Sequence, residues 1–193
     1  MRGDLGAGSG EVHEKARTVL SFWFDDVPAK KRFAQDAALD REIAERFGSL
    51  RDDVLASDAT GWRDSPETLL AAIILLDQFS RNIHRGEAEA YAGDALAVDL
   101  AREGIERGWD ERLDPDEQRP FLYMPLMHAE SREAQTLSVG CFEQLGNEEN
   151  LFYALDHADV IARFGRFPSR NAALGRQSTP EEEVYLSRPG AGW

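Results

Sequence analysis

The chain has 193 residues, 42% of them hydrophobic, and a formal net charge of −14 from 36 acidic residues against 22 lysines and arginines. This length and hydrophobic content predict a single domain with a core of its own. The negative charge disfavours nucleic acid and anionic membrane as partners, since both repel an acidic protein at long range. No run of about 18 apolar residues occurs, so we expect no membrane-spanning helix. The single cysteine, Cys141, is typical of a reducing compartment, and we expect a cytoplasmic protein.

Helical patterns follow one another along the chain, with almost no strand signal. We predict a disordered lead-in over residues 1–12 and a single all-α domain of about eight helices, joined by short turns, over residues 13–193. The helices are expected at 12–24, 37–56, Ser65 to about Asn82, Asp94 to about Gly108, Asp114 onward with interruptions at Pro120 and Pro125, 131–145, 147–165, and from Thr179.

Capping residues predict where several of these helices begin. Ser65-Pro66-Glu67 combines a cap, a proline at the first helical position and an acid in the first turn. Asp114-Pro115-Asp116-Glu117 and Thr179-Pro180-Glu181-Glu182 repeat that signal, and Asp94 is predicted to cap the helix that follows it. Gly165 is expected to end the helix before it.

Two short runs gather arginine in this acidic chain: LLDQFSRNIHRG at 75–86 and IARFGRFPSRNAALGRQST at 161–179. Arginine stays charged when buried, and its planar fork of donors suits carboxylate and phosphate. We therefore predict one polar cleft formed by both runs, with Trp23 as an apolar wall. The predicted ligand-binding residues are Arg81, Asn82 and Arg85 on one side and Arg163, Arg166, Arg170 and Asn171 on the other.

Structural roles for the same arginines remain open. Asp77 shares a helix face with Arg81 at i, i+4 spacing, so it either pairs with Arg81 to fix the helix end or orients Arg81 toward a ligand. The second run, in which Pro168 prevents a helix, is longer than the usual helix–helix connection. It either binds a ligand or packs as a loop whose arginines cap helix C-termini.

Three residues are candidates for acid–base chemistry: His128, Glu130 and His157. His157 lies on the helix face that leads into the second run, where it is either a hydrogen-bonded core residue or a general acid or base. His128 and Glu130 are two residues apart and do not share a helix face. Because no HExxH motif or paired Cys/His spacing occurs either, we predict no metal site, and no cofactor motif is present.

Several segments resemble the bacterial "domain of unknown function 924" family. The similarity covers roughly residues 14–193 and is carried by FWF at 22–24, LLDQFSRNIHRG at 75–86, FLYMPLMHAE at 121–130 and IARFGRFPSRNAALGRQSTPEEEVYL at 161–186. The resemblance implies an all-helical fold of antiparallel helix pairs, similar to a tetratricopeptide-like superhelix, and no established activity. The family pattern has a serine where this chain has Ala129, so the resemblance supplies no serine nucleophile between His128 and Glu130.

These observations favour binding of a small anionic ligand, a carboxylate or phosphate compound, with a histidine as acid or base if a reaction follows. The alternative is a protein-interaction module that captures an acidic or C-terminal peptide segment. A third interpretation makes the arginines purely structural. A closed cavity would favour a metabolite, and an open concave groove would favour a peptide.

Overall fold

The computed structural model describes residues 5–192, which form α-helices joined by short 3₁₀ and π-helical turns, with no strand in that range. The prediction of a single all-α domain is confirmed. The helices are α1 Leu5–Ser21, α2 Ala29–Arg32, α3 Ala37–Ala56, α4 Pro66–Ile73, α5 Ser80–Ile83, α6 Asp94–Glu106, α7 Arg119–His128, α8 Arg132–Leu145, α9 Glu148–Phe164 and α10 Pro180–Leu186.

The N-terminal helix is longer than the sequence pattern predicts. Helix α1 begins at Leu5, inside the segment that we expected to be a disordered lead-in. Residues 1–4 of that predicted segment lie outside the described residues. Helix α1 continues directly into a π-helical turn, Phe22–Asp26. None of the described helices combines the length and apolar character needed to cross a bilayer.

Two of the predicted helix starts carry complete capping boxes. Ser65 Oγ accepts from the amide of Thr68 at the start of α4, and Thr179 Oγ1 accepts from the amide of Glu182 at the start of α10. In both boxes the third helical side chain reaches back to the amide of the cap residue, so two helix-end donors are satisfied together. These local signals depend only on neighbouring residues, which is why the sequence predicts them well.

The helix predicted from Asp114 begins later than expected. Residues 115–118 form a turn, in which the Asp114 carboxylate accepts from the amides of Asp116 and Glu117. Helix α7 begins at Arg119, so Pro120 stands in its first turn, where a missing N–H leaves no helix bond unmade. Pro120 therefore lies in the first turn, and Pro125 lies inside the helix without ending it, so neither proline interrupts α7 as predicted.

Asp94 also differs from its predicted role as a cap. Gly93 precedes helix α6, Asp94 is the first helical residue, and the Asp94 side chain accepts no hydrogen bond from the helix amides. A Cβ atom on Gly93 would lie 2.8 Å from the carbonyl oxygen of Leu76. The chain before α6 thus packs directly against Leu76. This contact places the Asp94 carboxylate where arginines that are distant in sequence can bind it.

The core forms around helix α4 and the π-helical turn Ile74–Phe79 that follows it. Every residue from Leu69 to Leu76 is fully buried, because α1, α3, α6 and α7 pack around this segment. A helix that is apolar on all sides is suited to such a central position. Helices α7, α8 and α9 then pack in succession, with α8 and α9 joined by a turn so short that they run antiparallel.

A second, smaller apolar cluster lies at the C-terminal end of the chain. Val160, Ile161 and Phe167 are buried there, and Phe164 and Tyr185 pack against them. This cluster joins the end of α9 to α10 through the second arginine run. Pro168 begins a 3₁₀ turn in this run, and Gly165 ends α9 in the left-handed conformation, as the sequence predicts.

Candidate functional site

A cavity of about 790 Å³ lies between α2, the α4–α5 segment, α7, α9 and the second arginine run. Its volume is in the range of roughly 300–1,000 Å³ that is typical of small-molecule sites. Among the described residues, those of the predicted site that line the cavity are Arg81, Asn82, Arg85, His128, His157 and Arg170.

Asp77 is buried behind the polar wall, in contact with Arg81 and His128, with 1% of its surface exposed. Its Oδ1 lies 2.9 Å from Nη1 of Arg81 and 2.7 Å from Nδ1 of His128, and its Oδ2 accepts from Gln78 Nε2 at 2.6 Å. Burial alone would raise the pKa of Asp77, but Arg81 and His128 outweigh it and hold that pKa well below its usual value. Asp77 is therefore a charged carboxylate in the interior.

Asp94 joins the two arginine runs. Arg81 donates from Nη1 and Nη2 to the two carboxylate oxygens of Asp94, at 2.9 and 3.1 Å. Arg170, from the second run, donates from Nη1 to the same carboxylate at 3.1 Å and from Nη2 to the carbonyl oxygen of His128 at 2.8 Å. The runs that the sequence separates thus converge on one side of the cavity.

Aromatic rings hold Arg170 from two sides. The guanidinium carbon lies 4.6 Å from the centre of the Tyr91 ring and 4.5 Å from that of Phe167. Such contacts favour a flat cation over a ring face. Burial, followed by the charge of Arg81, lowers the pKa of Arg170. The site therefore keeps two guanidinium groups close together at an electrostatic cost that Asp94 offsets.

Two histidine rings face the cavity, with their centres 5.9 Å apart. His157 Nδ1 lies 2.8 Å from the carbonyl oxygen of Tyr153, a contact that requires Nδ1 to carry the hydrogen. Burial, followed by the charge of His128, lowers the pKa of His157 to about 3, so this ring is neutral near pH 7. The carboxylate of Asp77 likewise requires Nδ1 of His128 to donate, which leaves Nε2 as the nitrogen toward the cavity.

Three predicted binding residues of the second run lie outside the cavity wall. Arg163 pairs with Glu181 at 2.8 Å, and Arg166 donates to both carboxylate oxygens of Glu182 at 2.7 and 2.8 Å. Asn171, 2% exposed, also donates to Glu182. These residues tie the run to acidic side chains in the first turn of α10, a structural role, although not the capping of helix C-termini that the sequence suggested.

Glu130 and Trp23 are also placed away from the cavity wall. Glu130 accepts from both terminal nitrogens of Arg176, at 2.7 and 2.9 Å, and from the amide of Phe167. Trp23 is fully buried and packs edge-on against Phe79, with ring centres 5.3 Å apart. Glu130 thus fixes the loop, and Trp23 belongs to the core.

Arg32, which the sequence pattern does not single out, lies on the cavity wall with 8% exposure. No carboxylate of the described residues lies within 4.0 Å of its guanidinium, and burial lowers its pKa. Asp25 and Glu117 act on it only from beyond that distance. The run Lys30-Lys31-Arg32 is visible in the sequence, but nothing there distinguishes the buried arginine from the two exposed lysines.

The π-helical turn after α1 explains the position of Arg32. Carbonyl groups at a helix end lack intrahelical donors. Arg32 supplies these donors, from Nε to the carbonyl oxygen of Trp23 at 2.9 Å and from Nη2 to that of Phe24 at 2.8 Å. Its side chain is held by neutral backbone groups, and its positive charge remains unbalanced by a nearby acid.

Comparisons with other proteins support the sequence resemblance. A solved structure of a protein of unknown function from Agrobacterium tumefaciens is similar to this chain, with a TM-score of 0.85 and 39% identity over 91% of this chain and 98% of that one. No curated protein matches at a significant level. A family model described as "Bacterial protein of unknown function (DUF924)" matches residues 19–190. Because the match spans most of the sequence, the chain belongs to this DUF924 family.

Proposed function

We propose that the cavity binds a small anionic ligand, a carboxylate or phosphate compound. Arg32 is the observation that carries this proposal. A buried guanidinium without an acidic partner is costly, and an anion in the cavity would offset that cost. With Nε and Nη2 held by the carbonyl groups of Trp23 and Phe24, the Nη1 donors of Arg32 stay in a fixed direction for a ligand.

Arg81 and Arg170 support the proposal in a different way. Their charges are balanced by Asp77 and Asp94, so they add little net attraction for an anion. Each guanidinium has five N–H groups, however, and the acids and carbonyl groups do not use all of them. These preoriented donors would fix the direction of a ligand already attracted by Arg32.

The rest of the wall favours a ligand with an apolar body. Phe33, Ala90, Met124 and Met127 line the cavity between the charged groups. Methionine side chains adapt their shape to a bound molecule, and aromatic rings offer flat apolar contact. A small organic acid with a ring or a short hydrocarbon body matches this combination better than inorganic phosphate.

The proposal is tested by thermal unfolding of wild type and an Arg32→Gln variant with benzoate, citrate or phosphate against chloride at matched ionic strength. We expect at least one of these anions to raise the melting temperature of the wild type, because a ligand that binds only the folded state stabilises it. Arg32→Gln removes the unbalanced charge and should abolish that increase.

Arg163→Gln is the matched control, since Arg163 lies outside the cavity wall and pairs with Glu181. This variant should keep the full response to the anions. Equal responses in all three proteins, or no response beyond that of chloride in the wild type, would contradict anion binding in the cavity. Far-UV circular dichroism confirms that Arg32→Gln is folded before the comparison is made.

Capture of an acidic or C-terminal peptide is a second candidate, favoured by the exposed aromatic rim of the cavity. Phe33 is 68% exposed and stacks on Phe121 with ring centres 5.9 Å apart, and Tyr153 is 42% exposed. A longer ligand would cover these rings. A short peptide with a free C-terminus that binds more tightly than benzoate, and loses binding when amidated, would favour this candidate.

A further inference from the structure

We propose that the cavity is also a hydrolytic active site, in which His128 acts as the general base on small carboxylate-bearing esters. The inference rests on the proposed anion binding and adds a reaction to it. Its basis is a group of four linked side chains at one wall of the cavity: Asp77, His128, Arg81 and Arg170.

His128 has the geometry that a general base requires. Both carboxylate oxygens of Asp77 lie within hydrogen-bond distance of Nδ1, at 2.7 and 3.0 Å, so Nδ1 is the nitrogen that donates to Asp77. Because that nitrogen is directed inward to Asp77 and the ring lines the cavity, Nε2 is the nitrogen left to take a proton from a ligand or water when the ring acts as a base. A buried carboxylate that orients a histidine and stabilises the imidazolium ion has the same role in hydrolytic triads.

The wall offers His128 no obvious nucleophile to activate. Among the described residues that line the cavity there is no Cys, Lys or Thr, and no hydrogen bond joins Ser169 to His128. The proton that His128 takes must therefore come from water or from the ligand. Exposed side chains such as Phe33 and Tyr153 show that the cavity is open to solvent. Open access favours water, since abstraction of a proton from carbon benefits from exclusion of water.

Ester hydrolysis at this site would consume one water molecule, with His128 first taking and then returning one proton. Nε2 of His128 takes a proton from water as the water oxygen forms a bond to the ester carbonyl carbon, and the carbonyl electron pair moves onto its oxygen. When this tetrahedral oxyanion collapses, the C=O bond re-forms, the bond to the alcohol oxygen breaks, and His128 returns its proton to that oxygen. The products are an alcohol and a carboxylic acid, which ionises.

Two cationic donors stand next to this base. Arg81 shares Asp77 with His128, and Arg170 donates to the carbonyl oxygen of His128 itself, at 2.8 Å. Preoriented donors of this kind stabilise the negative charge that develops on a carbonyl oxygen. Arg32, which α2 contributes to the cavity wall, would hold the carboxylate of the substrate. The substrate class is therefore an ester that carries a carboxylate on an apolar body.

The test uses 4-acetoxybenzoate and its methyl ester, which differ in the negative charge, and follows release of the phenol by absorbance. Wild type should hydrolyse the anionic ester with the higher kcat/KM. His128→Gln should lower kcat by roughly 10²-fold to 10⁴-fold, the usual contribution of general acid–base catalysis. Asp77→Asn should lower kcat with little change in KM and alter the pH dependence of kcat, since Asp77 is a positioning residue that acts through His128.

His84→Gln is the matched control, because His84 does not line the cavity and lies 3.7 Å from Glu87. It should hydrolyse the anionic ester as wild type does. If Asp77→Asn does not fold, His128→Gln still decides the outcome. Wild-type rates in His128→Gln, or equal kcat/KM for both esters in the wild type, would overturn the inference.

Calorimetry with benzoate separates the two proposals. Binding of benzoate that depends on Arg32, with no hydrolysis of 4-acetoxybenzoate, would overturn the hydrolytic role and leave the proposed function standing. Absence of hydrolysis, together with no binding of benzoate, citrate or phosphate, would overturn both. Binding together with hydrolysis that depends on His128 supports both.

Discussion

Asp77 shows at the scale of one residue how a single carboxylate can hold two side chains at once. The sequence left two interpretations, a partner of Arg81 or a residue that orients it. In the structure Asp77 pairs with Arg81 and at the same time holds Nδ1 of His128. Arg81 has a further partner in Asp94, whereas Asp77 depends on Arg81 as its only permanent cation among the described residues.

This asymmetry predicts unequal effects of the two alanine variants. Arg81→Ala leaves the buried Asp77 without a permanent positive charge and should lower the free energy of unfolding by roughly 3–5 kcal/mol. Asp77→Ala should cost less, because Arg81 keeps its two hydrogen bonds to Asp94. Urea denaturation of both variants and of the double variant measures these effects.

The double variant should be less destabilised than the sum of the single variants, because it leaves no buried carboxylate without a cation at position 77. Additive losses, or a larger loss for Asp77→Ala than for Arg81→Ala, would show that the pair is not coupled in this way.

At the scale of helices and loops, the sequence predicts what depends on local patterns. The starts of α4 and α10 follow from Ser65 and Thr179 with their near neighbours. Asp94 resembles a helix cap locally, but Arg81 and Arg170 reach it from 13 and 76 residues away. Such long-range pairing competes with the local cap and leaves no periodic signal in the sequence.

Long-range contacts of this kind also explain why some predicted binding residues lie outside the cavity wall. Arg166 has no acid near it in sequence, yet the fold brings Glu182 to it. Arg32 was missed because its environment is created by backbone carbonyl groups of a π-helical turn, which hydrophobic periodicity does not reveal. His157 and Arg81 were identifiable because they lie on helix faces that the periodicity defines.

Glu182 gives the attachment of α10 a dependence on pH. It is 2% exposed, and its pKa is lowered to about 2, mainly by hydrogen bonding with Arg166. Since the unfolded value is about 4.3, the charged form stabilises the fold above that pH. This contribution is lost as the pH falls from about 4 toward the folded pKa.

Urea denaturation of wild type and Glu182→Gln between pH 7 and pH 2 measures this contribution. The difference in free energy of unfolding should be constant near neutral pH and shrink steadily below about pH 4. Asp99→Asn, a change on the exposed surface of α6, controls for the loss of one negative charge. A difference that does not vary with pH would contradict the assigned role of Glu182.

At the scale of the whole molecule, the cavity lies between two apolar clusters of unequal size. The large core surrounds α4, and the small cluster joins the end of α9 to α10 through Phe167. Arg170 belongs to the segment that the small cluster holds in place, whereas Arg81 extends from the large core. A ligand that contacts both arginines would connect the two clusters.

Hydrogen exchange should show this connection. Amides of α10 should exchange faster than those of α4, because fewer buried apolar contacts oppose local opening there. Saturating benzoate should slow the exchange of α10 in wild type and leave it unchanged in Arg32→Gln. Slowing of the same size in both proteins, or none in wild type, would contradict a ligand that connects the two clusters.

Gly93 packs against Leu76 directly before Asp94, the residue that binds both arginine runs. It has no side chain, yet the gap it leaves beside the carbonyl oxygen of Leu76 decides how closely Asp94 can approach Arg81 and Arg170. One added methyl group would alter no charge and no wall of the cavity, but it would push Asp94 outward by its own bulk. The position of the one carboxylate that binds both guanidinium groups therefore depends on van der Waals contact between Gly93 and Leu76, away from either charge.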